Sequence, residues 1–146
     1  MKIYEVFDKR KFLPLFLIAD EQESMVEKYL ERVSTFVLDD GGVKGEISVC
    51  DAGNGVLEIK SLAVYPDYRK HGYGKALINF VCMKYKNDFK IIHAGTGDSP
   101  LTVPFYEKCG FKKSYEVKNF FIENYDHPIT ENGVRLVDMV YLRKNL

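Results

Sequence analysis

Residues 69–74 carry the most informative chemistry in the sequence, an arginine followed by two glycines in the spacing Arg-x-x-Gly-x-Gly. This segment stands between a strand-like stretch and a helix-like stretch. Glycines at a helix N-terminus let several backbone N–H groups approach one anion, and the helix dipole helps to hold it. Lys70, His71 and Lys75 add positive character around the turn. The pattern predicts a site for a phosphate-bearing ligand, and the alternative is an ordinary strand–helix turn with exposed basic residues.

Two common phosphate-binding motifs fail at this turn. A nucleotide P-loop needs Ser or Thr directly after its Gly-Lys pair, and Ala76 stands there. A dinucleotide-binding fingerprint needs a third glycine at the position where this chain has Leu77. That fingerprint also belongs to a doubly wound fold with parallel strands, whereas the strands predicted next to this turn are joined by short turns. A nucleotide-binding protein is therefore the weaker interpretation of the turn.

Hydrophobic periodicity predicts a mixed α/β (α+β) domain that positions this turn. Three consecutive strands with short turns imply an antiparallel meander, followed by a strand–helix–strand crossover. Polar loops are expected at residues 95–100 and 124–133. The predicted strands are residues 2–7, 35–38, 43–50, 56–65, 90–94, 115–122 and 136–142. The predicted helices are residues 10–19, a second helix capped by Asp20 and reaching Val33, about 75–86, and 103–108.

Composition narrows the classes of protein that fit. The chain has 146 residues, of which 46% are hydrophobic and 29% charged, which is typical of one globular domain over residues 1–146. Lys and Arg number 21 and so do Asp and Glu, and this zero net charge argues against a nucleic-acid partner. The longest apolar stretch, residues 12–19, contains Pro14 and is too short to span a bilayer, so no membrane partner is expected.

The cysteines and histidines predict neither disulfides nor a metal site. Cys50, Cys82 and Cys109 lack paired or metal-type spacing, which predicts free thiols in a reducing, cytoplasmic compartment. His93 lies in an apolar strand and is expected in the core. The N-terminal residues have no small-residue cleavage site, so no signal peptide is predicted.

Two segments resemble the GNAT N-acetyltransferases. Residues 62–77, Leu-Ala-Val-Tyr-Pro-Asp-Tyr-Arg-Lys-His-Gly-Tyr-Gly-Lys-Ala-Leu, are similar to the acyl-coenzyme A binding motif of that family. Residues 105–111, Phe-Tyr-Glu-Lys-Cys-Gly-Phe, are similar to its second hallmark, a Tyr followed by Gly-Phe. The order of elements also agrees over about residues 1–122. The resemblance implies a GNAT-like, mostly antiparallel sheet with a strand–helix–strand coenzyme A binding core, acetyl-CoA as cosubstrate, and no metal.

The resemblance also implies which residues contact the cofactor. The backbone of Leu62, Ala63 and Val64 would pair with the pantetheine arm, and the N–H groups of residues 70–75 would hold the pyrophosphate. Many relatives carry an Asn in the loop before the second motif, where this chain has Asp98 and Ser99, and which of the two replaces it is left open. The implied cofactor-binding residues are Leu62, Ala63, Val64, Arg69, Lys70, His71, Gly72, Tyr73, Gly74 and Lys75.

Acetyl transfer to an amine needs a base, because a primary ammonium has a pKa of about 10.4. Glu58 is the candidate base, since it stands where family members with a glutamate base carry it, and a solvent-facing or ion-paired carboxylate is the alternative. The strand period predicts that Lys60, Leu62 and Val64 share its face unless a bulge intervenes. Tyr106 is the candidate acid for the departing thiolate, and a packed aromatic is its alternative. The backbone N–H of Leu62 is the expected oxyanion donor by position.

The resemblance implies transfer of an acetyl group from acetyl-CoA to a primary amine of a small molecule or peptide, by direct attack in a ternary complex. The alternative is a non-catalytic acyl-CoA-binding regulatory module. The acceptor pocket is expected from residues 20–33 and 121–136, which contain no recognisable determinant of the acceptor. A homodimer through the terminal strands is left open.

Overall fold

The chain forms two compact units in a computed structural model that describes all residues, 1–146. The first unit comprises residues 1–90 together with Leu146, and the second comprises residues 91–145. Each unit combines helices with antiparallel strand pairs. The predicted α/β class with a mostly antiparallel sheet is therefore confirmed.

Four antiparallel strands form the sheet of the first unit. They are β1 Lys2–Val6, β2 Ser34–Asp39, β3 Val43–Gly53 and β4 Val56–Val64. Each strand pairs with the next one along the chain, and tight turns join β2 to β3 and β3 to β4. The predicted three-strand meander is confirmed, and β1 extends it at the β2 edge.

Three helices belong to the same unit: α1 Leu13–Ala19, α2 Glu23–Glu27 and α3 Tyr73–Tyr85. The prediction that Asp20 caps the second helix is wrong, because Asp20 ends α1. Its backbone N–H donates to the Phe16 carbonyl at 2.9 Å, and Gln22 is the residue that precedes α2. Ahead of α1, residues 9–12 form a 3-10 turn rather than the start of the helix.

The segment after α2 buries Tyr29, Leu30 and Val33, although it is not helical as predicted. Lys9 Nζ donates to the Leu30 carbonyl at 2.8 Å and also to the Val33 carbonyl, so this segment's carbonyls are satisfied without further helical turns. The buried side chains of this segment repeat at helical spacing, but the helix itself is shorter than predicted. The buried cluster consists of Phe16, Val26, Tyr29, Leu30 and Val33.

A bulge in β4 changes which side chains share a face of the sheet. Ser48 pairs with Ser61 and Val49 pairs with Ile59, so Lys60 is the extra residue between them. Opposed residues of antiparallel strands point to one face, and neighbours along a strand alternate. Glu58 lies opposite Cys50, whereas Leu62 lies opposite Ile47, three positions away along β3. The predicted common face of Glu58 with Leu62 and Val64 is therefore wrong.

The polar residues Glu46 and Ser48 of β3 are buried, although their alternation with Ile47 and Val49 is typical of a strand with one solvent-exposed face. Both Glu46 and Ser48 are fully buried. A Cβ at Gly45 would meet Leu77 of α3 at 3.4 Å, which shows that α3 covers the Gly45 face. Cys50 packs on the opposite face against the cluster around Phe16, so helices cover both faces of β3.

The second unit is a three-stranded sheet with two helices and a hairpin. Its elements are β5 Ile91–Gly97, α4 Thr102–Lys108, β6 Lys112–Val117, α5 Phe120–Asn124, β7 Thr130–Glu131, β8 Val134–Arg135 and β9 Met139–Asn145. The last strand, β9, pairs antiparallel with β5 on one side and with β6 on the other. The short strands β7 and β8 pair only with each other.

Several boundaries in this unit differ from the prediction. The strand predicted at residues 115–122 ends at Val117, because Asn119 takes a left-handed φ of 58° and turns the chain into α5. Residues 95–97 were expected in a loop, but they lie in β5. Their glycines allow close packing, since a Cβ at Gly97 would lie 2.5 Å from a methyl group of Leu136.

The start of the final strand was predicted too early. Leu136 packs with Phe121 and Ile129 in a separate buried cluster, and its N–H donates to the Ile129 carbonyl at 2.8 Å. It therefore belongs to the hairpin region, and β9 begins only at Met139.

Candidate functional site

The turn between β4 and α3 has the geometry that an anion site requires. After a 3-10 turn at Pro66–Tyr68, Lys70 and Gly72 take left-handed φ angles of 66° and 81°. No side chain caps α3, and the N–H of Ala76 bonds back to the Gly72 carbonyl at 3.0 Å. The N–H groups of the first helical residues have no intrahelical partners, so they are available to a ligand. A Cβ at Gly72 would meet nothing within 4 Å, which leaves open space beside the turn.

Aromatic and charged side chains fix the surroundings of this turn. The Tyr73 hydroxyl donates to Asp40 Oδ2 at 2.7 Å, and this hydrogen bond raises the pKa of Tyr73. The His71 ring stacks on Tyr73 with centroids 5.7 Å apart, and Lys44 Nζ lies 3.8 Å from the Tyr68 ring centroid. The predicted cationic residues of the turn, Arg69, Lys70 and Lys75, are exposed.

The strand end that leads into the turn contains the residues predicted to bind the pantetheine arm. Leu62, Ala63 and Val64 are the last residues of β4 and pair with Ile47, Glu46 and Gly45 of β3 in that order. Ala63 is buried, whereas Leu62 and Val64 are half-buried. Their role in cofactor binding stays a prediction.

Glu58 and Lys60 form an ion pair on β4. Lys60 Nζ lies 2.9 Å from Glu58 Oε2, and the two side chains are 30% and 13% exposed. An ammonium at this distance stabilises the ionised carboxylate, which is the form that a base needs. Opposite Glu58, burial raises the pKa of the Cys50 thiol, and the Glu58 charge adds to that rise. The Cys50 thiol is therefore kept protonated and is a poor nucleophile.

A second carboxyl group on this face was missed by the sequence analysis. Glu46 is fully buried and accepts hydrogen bonds from Ser48 Oγ at 2.8 Å and Ser61 Oγ at 2.6 Å. Burial raises the pKa of Glu46 to about 7, although the two hydroxyl donors favour ionisation. Thr35 Oγ1 lies 2.8 Å from Ser48 Oγ and continues the chain of hydroxyls. The buried Tyr29 hydroxyl has no hydrogen-bond partner, and burial raises its pKa, with Glu46 contributing.

Tyr106 lies in α4 and is 7% exposed. Its ring packs edge-on against Phe105 and Phe111, with centroids 5.3 Å and 5.4 Å away. This packing fits the predicted alternative of a packed aromatic and leaves the acid role a prediction. Gly110 follows the C-cap residue Cys109 of α4, close to where the sequence predicted the end of that helix.

The two residues that could replace the family's Asn differ in their surroundings. Ser99 is buried, and its hydroxyl accepts from the Leu101 N–H at 3.0 Å at the start of α4. Asp98 is exposed, and its N–H donates to the Asp138 carbonyl at 3.3 Å. The serine hydroxyl thus shapes the loop, and the contact of either residue with a cofactor stays untested.

The remaining candidates are the histidines and the cysteines. His93 is half-buried and lies against Tyr141, with ring centroids 5.2 Å apart. The three cysteines are free thiols. No three His, Cys, Asp or Glu side chains are grouped so that they could hold a metal ion, and no helix is long and apolar enough to cross a membrane.

Comparisons with known proteins identify the fold and the family. The sequence profile of the acetyltransferase (GNAT) domain matches residues 31–113. The chain is 33% identical over 135 residues to the uncharacterized N-acetyltransferase YvbK of Bacillus subtilis (strain 168), covering 90% of this chain and 87% of that protein.

Two solved structures are similar over almost the whole chain. A GNAT family acetyltransferase from Elizabethkingia anophelis with acetyl-CoA bound has a TM-score of 0.91 and 30% identity, covering 99% of this chain and 97% of that one. A Bacillus subtilis acetyltransferase in complex with CoA has a TM-score of 0.90 and 30% identity, covering 99% and 98%. The chain therefore belongs to the GNAT acetyltransferase family, as the two sequence motifs predicted. Its similarity to these relatives identifies it as an N-acetyltransferase.

Proposed function

We propose that the chain transfers an acetyl group from acetyl-CoA to a primary amine of a small molecule or peptide, by direct attack in a ternary complex. The observation that carries this proposal is the uncapped start of α3 after two left-handed residues, Lys70 and Gly72, directly behind the end of β4. Two similar proteins were solved with acetyl-CoA or CoA bound, which supports the same ligand here.

In this proposal the backbone N–H groups of residues 70–75 bind the pyrophosphate, and Arg69, Lys70, His71 and Lys75 surround it with positive character. The backbone of Leu62, Ala63 and Val64 binds the pantetheine arm. Phosphate oxygens are hydrogen-bond acceptors, and the amides at the start of α3 are donors without intrahelical partners, so the chemistry of the two sides is complementary.

Residues of β4, together with Tyr106, would then carry out the transfer. Glu58 takes a proton from the acceptor ammonium, and the freed amine nitrogen attacks the acetyl carbonyl carbon. The Leu62 N–H donates to the oxyanion that forms, and the carbon–sulfur bond breaks to release the thiolate. Tyr106 donates a proton to the departing sulfur, and the second proton lost by the attacking nitrogen restores the Tyr106 hydroxyl, so the products are an amide and the CoA thiol.

The proposal extends to the organisation of the protein. One N-acetyltransferase domain over residues 1–146 is favoured because the family profile, at residues 31–113, includes parts of both compact units. A cytoplasmic location is favoured by the three free thiols. A homodimer stays a prediction.

The cofactor part is tested by measuring CoA binding calorimetrically for two matched glycine variants. Gly72 and Gly53 have φ angles of 81° and 87°, and a Cβ at either would meet nothing within 4 Å. Both Gly→Ala changes strain the backbone similarly. We expect Gly72→Ala to weaken CoA binding about tenfold or more, through lost amide hydrogen bonds, and Gly53→Ala to leave it unchanged. Equal CoA affinities of the two variants would show that the turn at Gly72 is not part of the CoA-binding site.

The transfer itself is tested by following thiol release from acetyl-CoA in the presence of a panel of primary amines. The wild-type chain should release thiol with at least one amine, and Tyr106→Phe should lower kcat without weakening CoA binding. Tyr115→Phe, at an exposed tyrosine of the same unit, is the matched control. Tight CoA binding without release for any amine would favour the regulatory module instead.

A further inference from the structure

Lys60 is a primary amine that already lies against the proposed base. Its Nζ atom is 2.9 Å from Glu58 Oε2, and Lys60 is the bulged residue of β4. The Lys60 side chain is 30% exposed, so it is partly accessible to solvent. The acceptor ammonium of the proposed reaction must make this same contact with Glu58, and Lys60 therefore resembles an acceptor that is part of the chain.

Lys60 is also close in sequence to the proposed oxyanion donor. Only Ser61 separates it from Leu62, and two residues of a strand span about 7 Å. The ammonium of a lysine is carried on a flexible four-carbon stem, so it can move over such a distance while its backbone stays in the sheet. An acetyl group bound at the proposed Leu62 N–H would lie within the length of this side chain along the strand.

A second Glu-x-Lys pair with the same sequence spacing lies outside the proposed site and can be compared with Glu58 and Lys60. Lys118 Nζ lies 2.8 Å from Glu116 Oε2, but these side chains are 72% and 43% exposed, and Lys118 also contacts Asp138. This pair has the same residue types and separation as Glu58 and Lys60. It is therefore an internal reference for the chemical reactivity of a lysine paired with a carboxylate.

We propose that the chain acetylates its own Lys60, with Glu58 as the base; this inference rests on the proposed function. Glu58 takes one proton from the Lys60 ammonium, and Nζ forms a bond to the acetyl carbon of acetyl-CoA. The nitrogen then loses its second proton and the carbon–sulfur bond breaks, and that proton passes to the sulfur, which leaves as the CoA thiol. The product is a neutral amide at Lys60, which ends the ion pair with Glu58.

The test incubates the full-length chain with acetyl-CoA and no added amine, and follows acetylation of individual lysines by peptide mass spectrometry. We expect Lys60 to be acetylated about 10²-fold faster than Lys118, which is the lower range for general base assistance. Equal rates at the two lysines would overturn the proposal, because both would then reflect unassisted chemistry.

Two variants separate catalysis from simple exposure of the amine. Glu58→Gln releases Lys60 from its ion pair, so unassisted acetylation of Lys60 should become faster, whereas base-assisted acetylation should become slower. We expect the slower rate, with Glu116→Gln leaving the Lys60 rate unchanged. A faster or unchanged rate in Glu58→Gln would overturn the proposal.

The same preparation is assayed with the amine panel, so that the two proposals fail differently. Thiol release with an added amine but no acetyl-Lys60 would overturn self-acetylation and leave the proposed function standing. No thiol release with any amine and no acetyl-Lys60 would overturn both.

Discussion

Glu46 and Glu58 lie on the same face of β3 and β4, yet their surroundings make them chemically different. Glu46 is fully buried, receives hydrogen bonds only from serine hydroxyls, and its pKa is raised to about 7. Glu58 is 13% exposed and contacts the ammonium of Lys60. The comparison shows two different carboxyl sites: burial without a cationic partner raises the pKa of Glu46, whereas Glu58 has an ammonium partner and some access to solvent. Of the two, only Glu58 combines a cationic partner with access to solvent.

The largest effect that separates the two residues is expected on turnover. Glu58→Gln should lower kcat by about 10²- to 10⁴-fold, because the acceptor ammonium loses its base. Glu46→Gln should leave kcat close to the wild-type value, since a buried amide resembles the protonated acid. Thiol release with the best amine measures both. Comparable losses of kcat in the two variants would show that the two carboxyl groups do not differ in their importance for turnover. Circular dichroism must show that both variants are folded.

The next largest effect is expected on the pH dependence of stability. The pKa of Glu46 is about 7 in the folded chain and about 4.5 when unfolded, so the unfolded chain loses this proton first as the pH rises. Wild-type stability should therefore fall between about pH 4.5 and 7, by roughly 3 kcal/mol, and then level off. Glu46→Gln should lack this fall in urea unfolding at pH 5, 7 and 9. Parallel pH curves for the two proteins would show that Glu46 titrates normally.

A smaller effect is expected when one donor to Glu46 is removed. Ser61→Ala takes away the hydrogen bond of 2.6 Å and should lower the free energy of unfolding by about 1–2 kcal/mol. The loss should be greater at pH 8 than at pH 5, because a hydroxyl bonds more strongly to the ionised carboxylate. Ser114→Ala, at an exposed serine of β6, is the control and should change nothing. A loss that does not vary with pH would mean that Glu46 does not ionise in the folded chain.

Local signals in the sequence predicted the turn and the strands that lead to it. The glycines of residues 72–74 and the alternation in residues 56–64 act through neighbours along the chain, so they can be recognised without a fold. The family motifs added the remaining expectations about the cofactor. Gly110 likewise marked the end of α4, because a helix end is a local property.

The surroundings of the two glutamates depend on contacts that no local pattern encodes. Glu46 and Ser48 alternate with Ile47 and Val49 in β3, a pattern typical of a strand with one solvent-facing side, but segments distant in the sequence cover that side. The bulge at Lys60 arises from the pairing of β4 with β3 and leaves no mark in the composition of either strand. Asp20 was misassigned for a similar reason, because an acidic residue between two helices can end one or begin the other.

The pH dependence of thiol release by wild-type and Glu58→Gln chains, with the same primary amine, tests most directly whether Glu58 handles the acceptor's proton. As the pH rises toward the amine's pKa of about 10.4, more amine arrives already deprotonated and needs no base. The ratio of wild-type to variant rates should therefore shrink by about tenfold per pH unit over this range. A ratio that stays constant from neutral pH to pH 10 would contradict the account.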